Sequence, residues 1–163
     1  MAEEPDPAFE PSQIEIVPKS WFSWDYDLYE RGALLATIDN AWWRELGAFE
    51  HGGKRYTVRR DGLTGPFLLE GEEGEIARAV KPGFAFRRFE VEYAGRRFSL
   101  HSVSSLRNSF ELAEGDRPAG SVRCSGRLSY RGQAFLPPDL PPPVRVFLVW
   151  LVVLLWRRRA EGG

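Results

Sequence analysis

Between Gln13 and Leu136 the chain repeats one pattern. Short runs of alternating apolar and polar residues are broken by Gly, Asn, Asp and Pro. IEIV (14–17) alternates, and so does the segment from Leu34 to Asp39. In KRYTVRR (54–60), Tyr56 and Val58 fall on one face and Arg55, Thr57 and Arg59 on the other. A period of two marks a strand with one wet face. The clearest hairpin is FEVEYAGRRFSL (89–100), where Gly95 supplies the positive φ of a tight turn. FLLEGEEGEIARAV (67–80), FELAEGDRPAGSVRC (110–124), CSGRL (124–128) and YRGQAF (130–135) read as further hairpin segments. The pattern predicts about ten to twelve strands, roughly 8–12 residues apart, the interval of an all-β sandwich or barrel. No repeat period suggests a propeller or solenoid.

The C-terminal segment breaks the pattern. VRVFLVWLVVLLWRRR (144–159) does not alternate. Three prolines, Pro141 to Pro143, precede it, and proline suits the first turn of a helix. Arg157, Arg158 and Arg159 follow, where positive charge complements a helix C-terminus. The expectation is a helix over about 143–159. Its uninterrupted apolar run, Val146 to Trp156, is 11 residues long. At about 1.5 Å per residue that covers roughly 16 Å. A bilayer core is about 30 Å thick and needs about 20 residues. A helix apolar on every side needs contacts on every side. A barrel of about eleven strands has room for one. The expected core helix therefore presents Val146, Phe147, Val149, Trp150, Leu151, Val153, Leu154 and Trp156 to a barrel interior. The fold class expected is mainly β: a closed antiparallel barrel of about 10–12 strands around a buried hydrophobic C-terminal helix. A β-sandwich stays open for the middle segment taken alone.

Composition changes this picture little. The chain is long enough for one domain with a real core. Its net charge of −1 gives no overall electrostatic reason to expect nucleic acid. One cysteine, Cys124, excludes an internal disulfide and fits a reducing compartment. The acidic, Pro-containing start lacks the basic and apolar regions of a signal peptide. Residues 1–12 are expected to be a poorly ordered tail and 13–159 a single domain.

A barrel of short antiparallel strands closed around a hydrophobic C-terminal helix resembles the tubby-like superfamily, which includes the tubby C-terminal domain, the LURP-one-related proteins and the phospholipid scramblases. The residues that carry the resemblance are GEIARAV (74–80), FEVEYAGRRFSLHS (89–102), FELAEGDRPAGSVRC (110–124) and LPPDLPPPVRVFLVWLVVLLWRRR (136–159). The chain looks most like bacterial LURP-one-related and scramblase-like members. The resemblance implies a non-enzymatic cytoplasmic barrel that binds anionic phospholipid headgroups, associates with a membrane surface or engages a protein partner. Scramblases also carry a cysteine cluster and an acidic calcium-binding segment. This chain has one cysteine and, in its Pro-containing segment 137–143, one acid, Asp139. Calcium-dependent scrambling gains little support from it.

Candidate chemistry is sparse. Two histidines, His51 and His101, and one cysteine have no catalytic or zinc spacing. Asp25, Asp27 and Glu30 in WDYDLYERG do not match a calcium loop and read as exposed strand and turn carboxylates. GLTGP (62–66) is a turn. No metal or cofactor is expected. The arginine pairs Arg59-Arg60, Arg87-Arg88 and Arg96-Arg97 fall near strand ends. Converging at one rim, they would make a lipid or anion site, because forked guanidinium groups suit phosphate. The plainer expectation pairs them with Glu90, Glu92 and Glu111 across strands. Trp21, Trp24, Trp42 and Trp43 are expected to pack the barrel rather than to form a contact surface. Two other functional readings stay open: a tail-anchored protein inserted through 144–156, and a carrier of a small apolar ligand inside the barrel.

Overall fold

The computed structural model describes residues 11–20, 24–41, 45–81, 88–104, 108–125 and 131–162. The wall begins with β1 (Ser12–Pro18), β2 (Tyr26–Glu30), β3 (Ala33–Ala41) and β4 (Leu46–His51). It continues through β5 (Lys54–Arg60), β6 (Phe67–Gly71), β7 (Gly74–Val80) and β8 (Arg88–Tyr93). It ends with β9 (Arg96–Ser104), β10 (Ser109–Glu114), β11 (Arg117–Cys124) and β12 (Gly132–Leu136), and the helix α1 (Pro142–Gly162) follows. Each strand pairs antiparallel with its chain neighbours, and β12 closes the ring on β1, from Ser12↔Leu136 to Ile16↔Gly132. Gly95 has φ 78° and Ala94 φ 47°, so both central residues of the β8–β9 turn are left-handed, as a tight hairpin needs.

The alternation sorts side chains by face. Ile14, Ile16, Leu28, Val58, Leu100 and Leu112 point inward and are fully buried. Glu15, Arg78, Glu92, Glu111, Arg123 and Gln133 point outward and are exposed. The wall is thus apolar inside and polar outside, the reverse of a lipid-spanning barrel.

The helix fills the lumen. Every residue from Val146 to Trp156 is buried and joins one core cluster with the inner face of the wall. The helix runs 21 residues, roughly 31 Å. It is longer than the 143–159 expected, by one proline at the start and three residues at the end. The Pro141 carbonyl accepts from the amides of Val144 and Arg145 at 3.0 and 3.2 Å, which starts the first turn. Among the described residues no helix is long and apolar enough to cross a membrane. The expected tail also ends one residue early, because Ser12 opens β1 as a buried residue bound to the helix. Residues 1–10 lie outside those described.

Two indole N–H groups fix the helix axially. Trp150 Nε1 donates to Asn40 Oδ1 at 2.9 Å, and Trp156 Nε1 donates to the Asn108 carbonyl at 2.9 Å. Trp150 also meets Phe67 edge-on at 5.8 Å. Gly132 makes room for Trp156. A β-carbon there would lie 2.8 Å from the indole and 2.5 Å from the Arg123 carbonyl on β11. Gly132→Ala is therefore expected to destabilise by about 1–3 kcal/mol through overpacking. Urea unfolding checks it, and an unchanged midpoint would show the wall yielding freely.

Candidate functional site

An up-and-down barrel places every second connection at the same end. The helix enters beside the start of β1 and the end of β12, and leaves beside the start of β10, where Trp156 and Arg159 bond Asn108. The two ends differ in charge. The described connections and tail at the exit end hold Lys19, Lys81, Arg131, Arg157, Arg158 and Arg159 against Asp25, Glu45, Asp61 and Glu161. Those at the entry end hold Glu72, Glu73, Asp116 and Asp139 against Arg31. Among the described residues, charge is therefore divided along the barrel axis.

Exposed apolar residues follow the same division. Among the described residues, four large hydrophobic side chains are exposed: Leu34, Leu63, Val80 and Val103. Leu63 is 91% exposed at the tip of the β5–β6 turn. Val80 ends β7 and Val103 lies in the last turn of pleat of β9, so three of the four sit at the exit end.

The arginine pairs do not converge as one rim. Arg59, Arg60 and Arg88 lie at the exit end, but β5 and β8 are three strands apart. Arg96 and Arg97 begin β9 at the opposite end. Arg87 lies outside the described residues. Each of the other five meets a carboxylate. Arg59 bonds Glu70, with Asp61 3.4 Å away, and the Glu70 bond raises its pKa. Arg88 meets Glu90 at 2.6 Å, and Arg97 meets Glu92 at 3.2 Å. Arg96 is held by Glu114 and Asp139, both at 2.7 Å. The Glu114 bond raises the Arg96 pKa further, and Arg96 in turn lowers that of Glu114. Arg97 thus meets Glu92 across strands, as the cross-strand reading expects, whereas Arg88 meets Glu90 within its own strand and Glu111 faces His101 at 3.8 Å.

One cluster at the exit end is built differently. Arg60 and Arg158 share a single carboxylate, Glu45, with Arg60 at 3.3 Å. Both guanidinium groups lie over the Phe67 ring, at 5.3 and 5.8 Å from its centre. Glu45 holds φ 49° and Asn108 also holds φ 49°, so two left-handed residues receive the last turns of the helix. The cluster keeps one positive charge in excess, and Arg60 also reaches the β5–β6 turn, where its Nε donates to the Gly65 carbonyl at 3.4 Å.

The other candidates have structural work. Asp25 Oδ1 accepts the Asn40 amide at 2.8 Å, and Asp27 Oδ1 accepts the Thr37 hydroxyl at 2.6 Å. Glu30 meets Arg145 at 2.6 Å. These three carboxylates are half-buried, not exposed as expected from sequence. Burial alone would raise the Glu30 pKa, but bonds from Ser12 and Arg145 more than offset it and hold the carboxyl low. His51 ends β4, His101 lies in β9 and Cys124 ends β11, so they share no site. Cys124 is half-buried against the core. Among the described residues no group of three His, Cys, Asp or Glu could hold a metal ion. Trp24 packs partly buried against the core, as expected, with its ring 6.5 Å from Tyr26. Trp21, Trp42 and Trp43 lie outside the described residues.

Sequence reasoning missed the charge division and the Arg145 contact. The division had a signal: an up-and-down order lets alternate connections be summed by eye. No family model, curated protein or solved structure matches this chain.

Proposed function

We propose that this chain is a non-enzymatic, tubby-like barrel that associates end-on with anionic lipid headgroups, its helix-exit end toward the membrane surface. The observation that carries the reading is the coincidence, at one end, of the basic side chains and of Leu63, Val80 and Val103. Peripheral membrane contact uses this chemistry: cations for the headgroups and a few apolar tips for the interface. Each Lys or Arg near an anionic surface contributes about 1 kcal/mol, and the attraction fades beyond a Debye length of about 10 Å at 0.1 M salt. With a net charge of −1, attraction comes from orientation, so one end binds and the other is repelled. The resemblance to the tubby-like superfamily supports the same ligand class. The lumen, filled by Val146 to Trp156, favours a surface role over a carrier.

Vesicle sedimentation tests the proposal. The parent is expected to pellet with phosphatidylserine-containing vesicles at low salt and not with phosphatidylcholine alone. Lys19→Ala, Arg131→Ala and Arg159→Ala combined are expected to lower partitioning roughly a hundredfold, at about 1 kcal/mol each. Arg97→Ala, at the far end, is expected to change nothing. Absence of binding by the parent, or an equal loss from Arg97→Ala, would sink the reading.

A further inference from the structure

Two guanidinium groups meet over one ring at the helix-exit end, and one carboxylate joins them. Arg60 ends β5, Phe67 begins β6, and Arg158 lies in the last turns of α1. Arg60 and Phe67 are directly opposed in the β5–β6 pairing. By the period of two, Arg60 shares the inward face of Val58. It therefore reaches over the end of the lumen, where the helix brings Arg158 to the same ring. The two guanidinium carbons lie 5.3 and 5.8 Å from the ring centre. Glu45 gives one carboxylate oxygen to each arginine: Oε2 lies 3.3 Å from Arg60, and Oε1 accepts from Arg158.

The charges in this cluster do not balance. Two cations face one monoanion, whereas Arg96 alone is held by two carboxylates, Glu114 and Asp139. The side chains of Arg60 and Glu45 are 23% exposed and that of Arg158 is 29% exposed. The cluster is thus open to solvent, yet enclosed enough for an ion pair to count for more than one on a free surface. Glu45 sits in the connection before β4, and its flexible side chain can swing to water without moving the strand. The helix C-terminus contributes about half a negative charge, less than the excess on the two arginines. A phosphomonoester carries about −1.5 to −2 at pH 7 and has three acceptor oxygens. It can take both guanidinium forks at once and neutralise the pair, which a carboxylate cannot do.

We infer that the Arg60–Arg158 pair is a subsite for a phosphomonoester, whose dianion displaces the Glu45 carboxylate. The inference rests on the end-on reading above and narrows its ligand to a headgroup that ends in a phosphomonoester. Glu45 sets the selectivity. A phosphodiester such as that of phosphatidylserine is a monoanion, so it gains no charge by replacing a carboxylate already in place. A dianion does gain, by the one positive charge that Glu45 leaves in excess.

The test uses the full chain and three probes. Two are phosphatidylcholine vesicles containing either phosphatidic acid or phosphatidylserine, brought to the same zeta potential. The third is soluble glycerol 3-phosphate, read through the arginine Nε–Hε NMR signals. The parent is expected to favour phosphatidic acid about tenfold, the effect of one added charge-assisted hydrogen bond. Arg60→Lys with Arg158→Lys keeps the charge but removes the forks, so the preference should vanish while phosphatidylserine binding stays. Glu45→Gln should raise phosphatidic acid binding about tenfold or more, whereas Asp61→Asn, the same charge change at the same end, should raise both lipids alike by about fivefold. Thermal unfolding checks that each variant is folded. Saturable glycerol 3-phosphate shifts at Arg60 and Arg158 without vesicle binding would keep the subsite, assign it to a soluble phosphomonoester and sink the end-on reading. Equal binding to the two charge-matched vesicles, with the Arg60 and Arg158 signals unmoved, overturns the subsite and leaves the end-on reading standing. No binding of any probe overturns both.

Discussion

Leu151→Asp is expected to leave no cooperatively folded protein at neutral pH. Leu151 is 0% exposed, in the middle of α1, with apolar neighbours on the helix and around the wall. An ionised carboxylate there would have neither water nor a partner. It would instead stay protonated, and holding an aspartate neutral three units above its ordinary pKa costs about 4 kcal/mol at pH 7. The lost leucine transfer free energy adds about 2 kcal/mol. The sum rivals the whole stability of a typical domain, about 5–15 kcal/mol. Leu151→Met keeps volume and polarity and is expected to cost less than about 1.5 kcal/mol. Thermal unfolding and solubility of the two variants decide the matter. A soluble Leu151→Asp variant melting near the parent would mean that the lumen admits water or the helix can leave it.

The architecture was legible because two independent signals had to agree. Alternation in segments such as Phe89–Tyr93 and Arg96–Leu100 marks strands with one wet face, and Gly95 marks the turn between them. The unbroken run Val146–Trp156 is too short to span a bilayer and too apolar to lie on a surface. Only a barrel wide enough to hold it satisfies both. The helix end was harder, since Ala160 and Glu161 continue a helix as well as they end one. The register shift at Leu35 in the β2–β3 pairing had only a faint signal, three apolar residues in succession at Leu34, Leu35 and Ala36, of which the last two are both buried.

The arginine pairs show why the site was harder to read than the fold. Adjacent residues in a strand point to opposite faces, so an Arg-Arg dipeptide there cannot act as one fork. Arg59 turns to Glu70 on the neighbouring strand, while Arg60 turns over Phe67 toward Glu45 and the helix. Arg96 lies over the Phe98 ring, while Arg97 is 83% exposed. The basic end is assembled from connections far apart in sequence.

The contact with the second largest expected effect had no sequence signal at all. Arg145 sits one turn into the apolar helix, and its partner Glu30 is 115 residues away. Arg145 is 6% exposed, bonds Glu30 and Ser12, and donates to the Leu140 carbonyl at 3.1 Å. Ser12 in turn donates to Glu30 at 2.5 Å. The helix start is thereby tied to β1 and β2 at the entry end. Glu30→Ala leaves the Arg145 charge enclosed without its counterion and is expected to cost about 3–5 kcal/mol. Arg145→Met alone should cost less, because Glu30 is nearer water. Glu30→Leu with Arg145→Met should recover most of the loss, since a buried ion pair replaced as a whole by apolar side chains of similar volume is often neutral. Acid acts as the reversible form of the same change. The Glu30 pKa is held below its ordinary value in the folded state, so the pair stabilises at pH above about 4.5 and that stability is lost as pH falls through the folded value. Urea unfolding at pH 7 and at successively lower pH should therefore show a drop for the parent that is smaller in Glu30→Gln and in the apolar double variant. Equal acid sensitivity in all three, or additive costs in the double variant, would show that Arg145 is held by the Leu140 carbonyl and packing rather than by its ion pair.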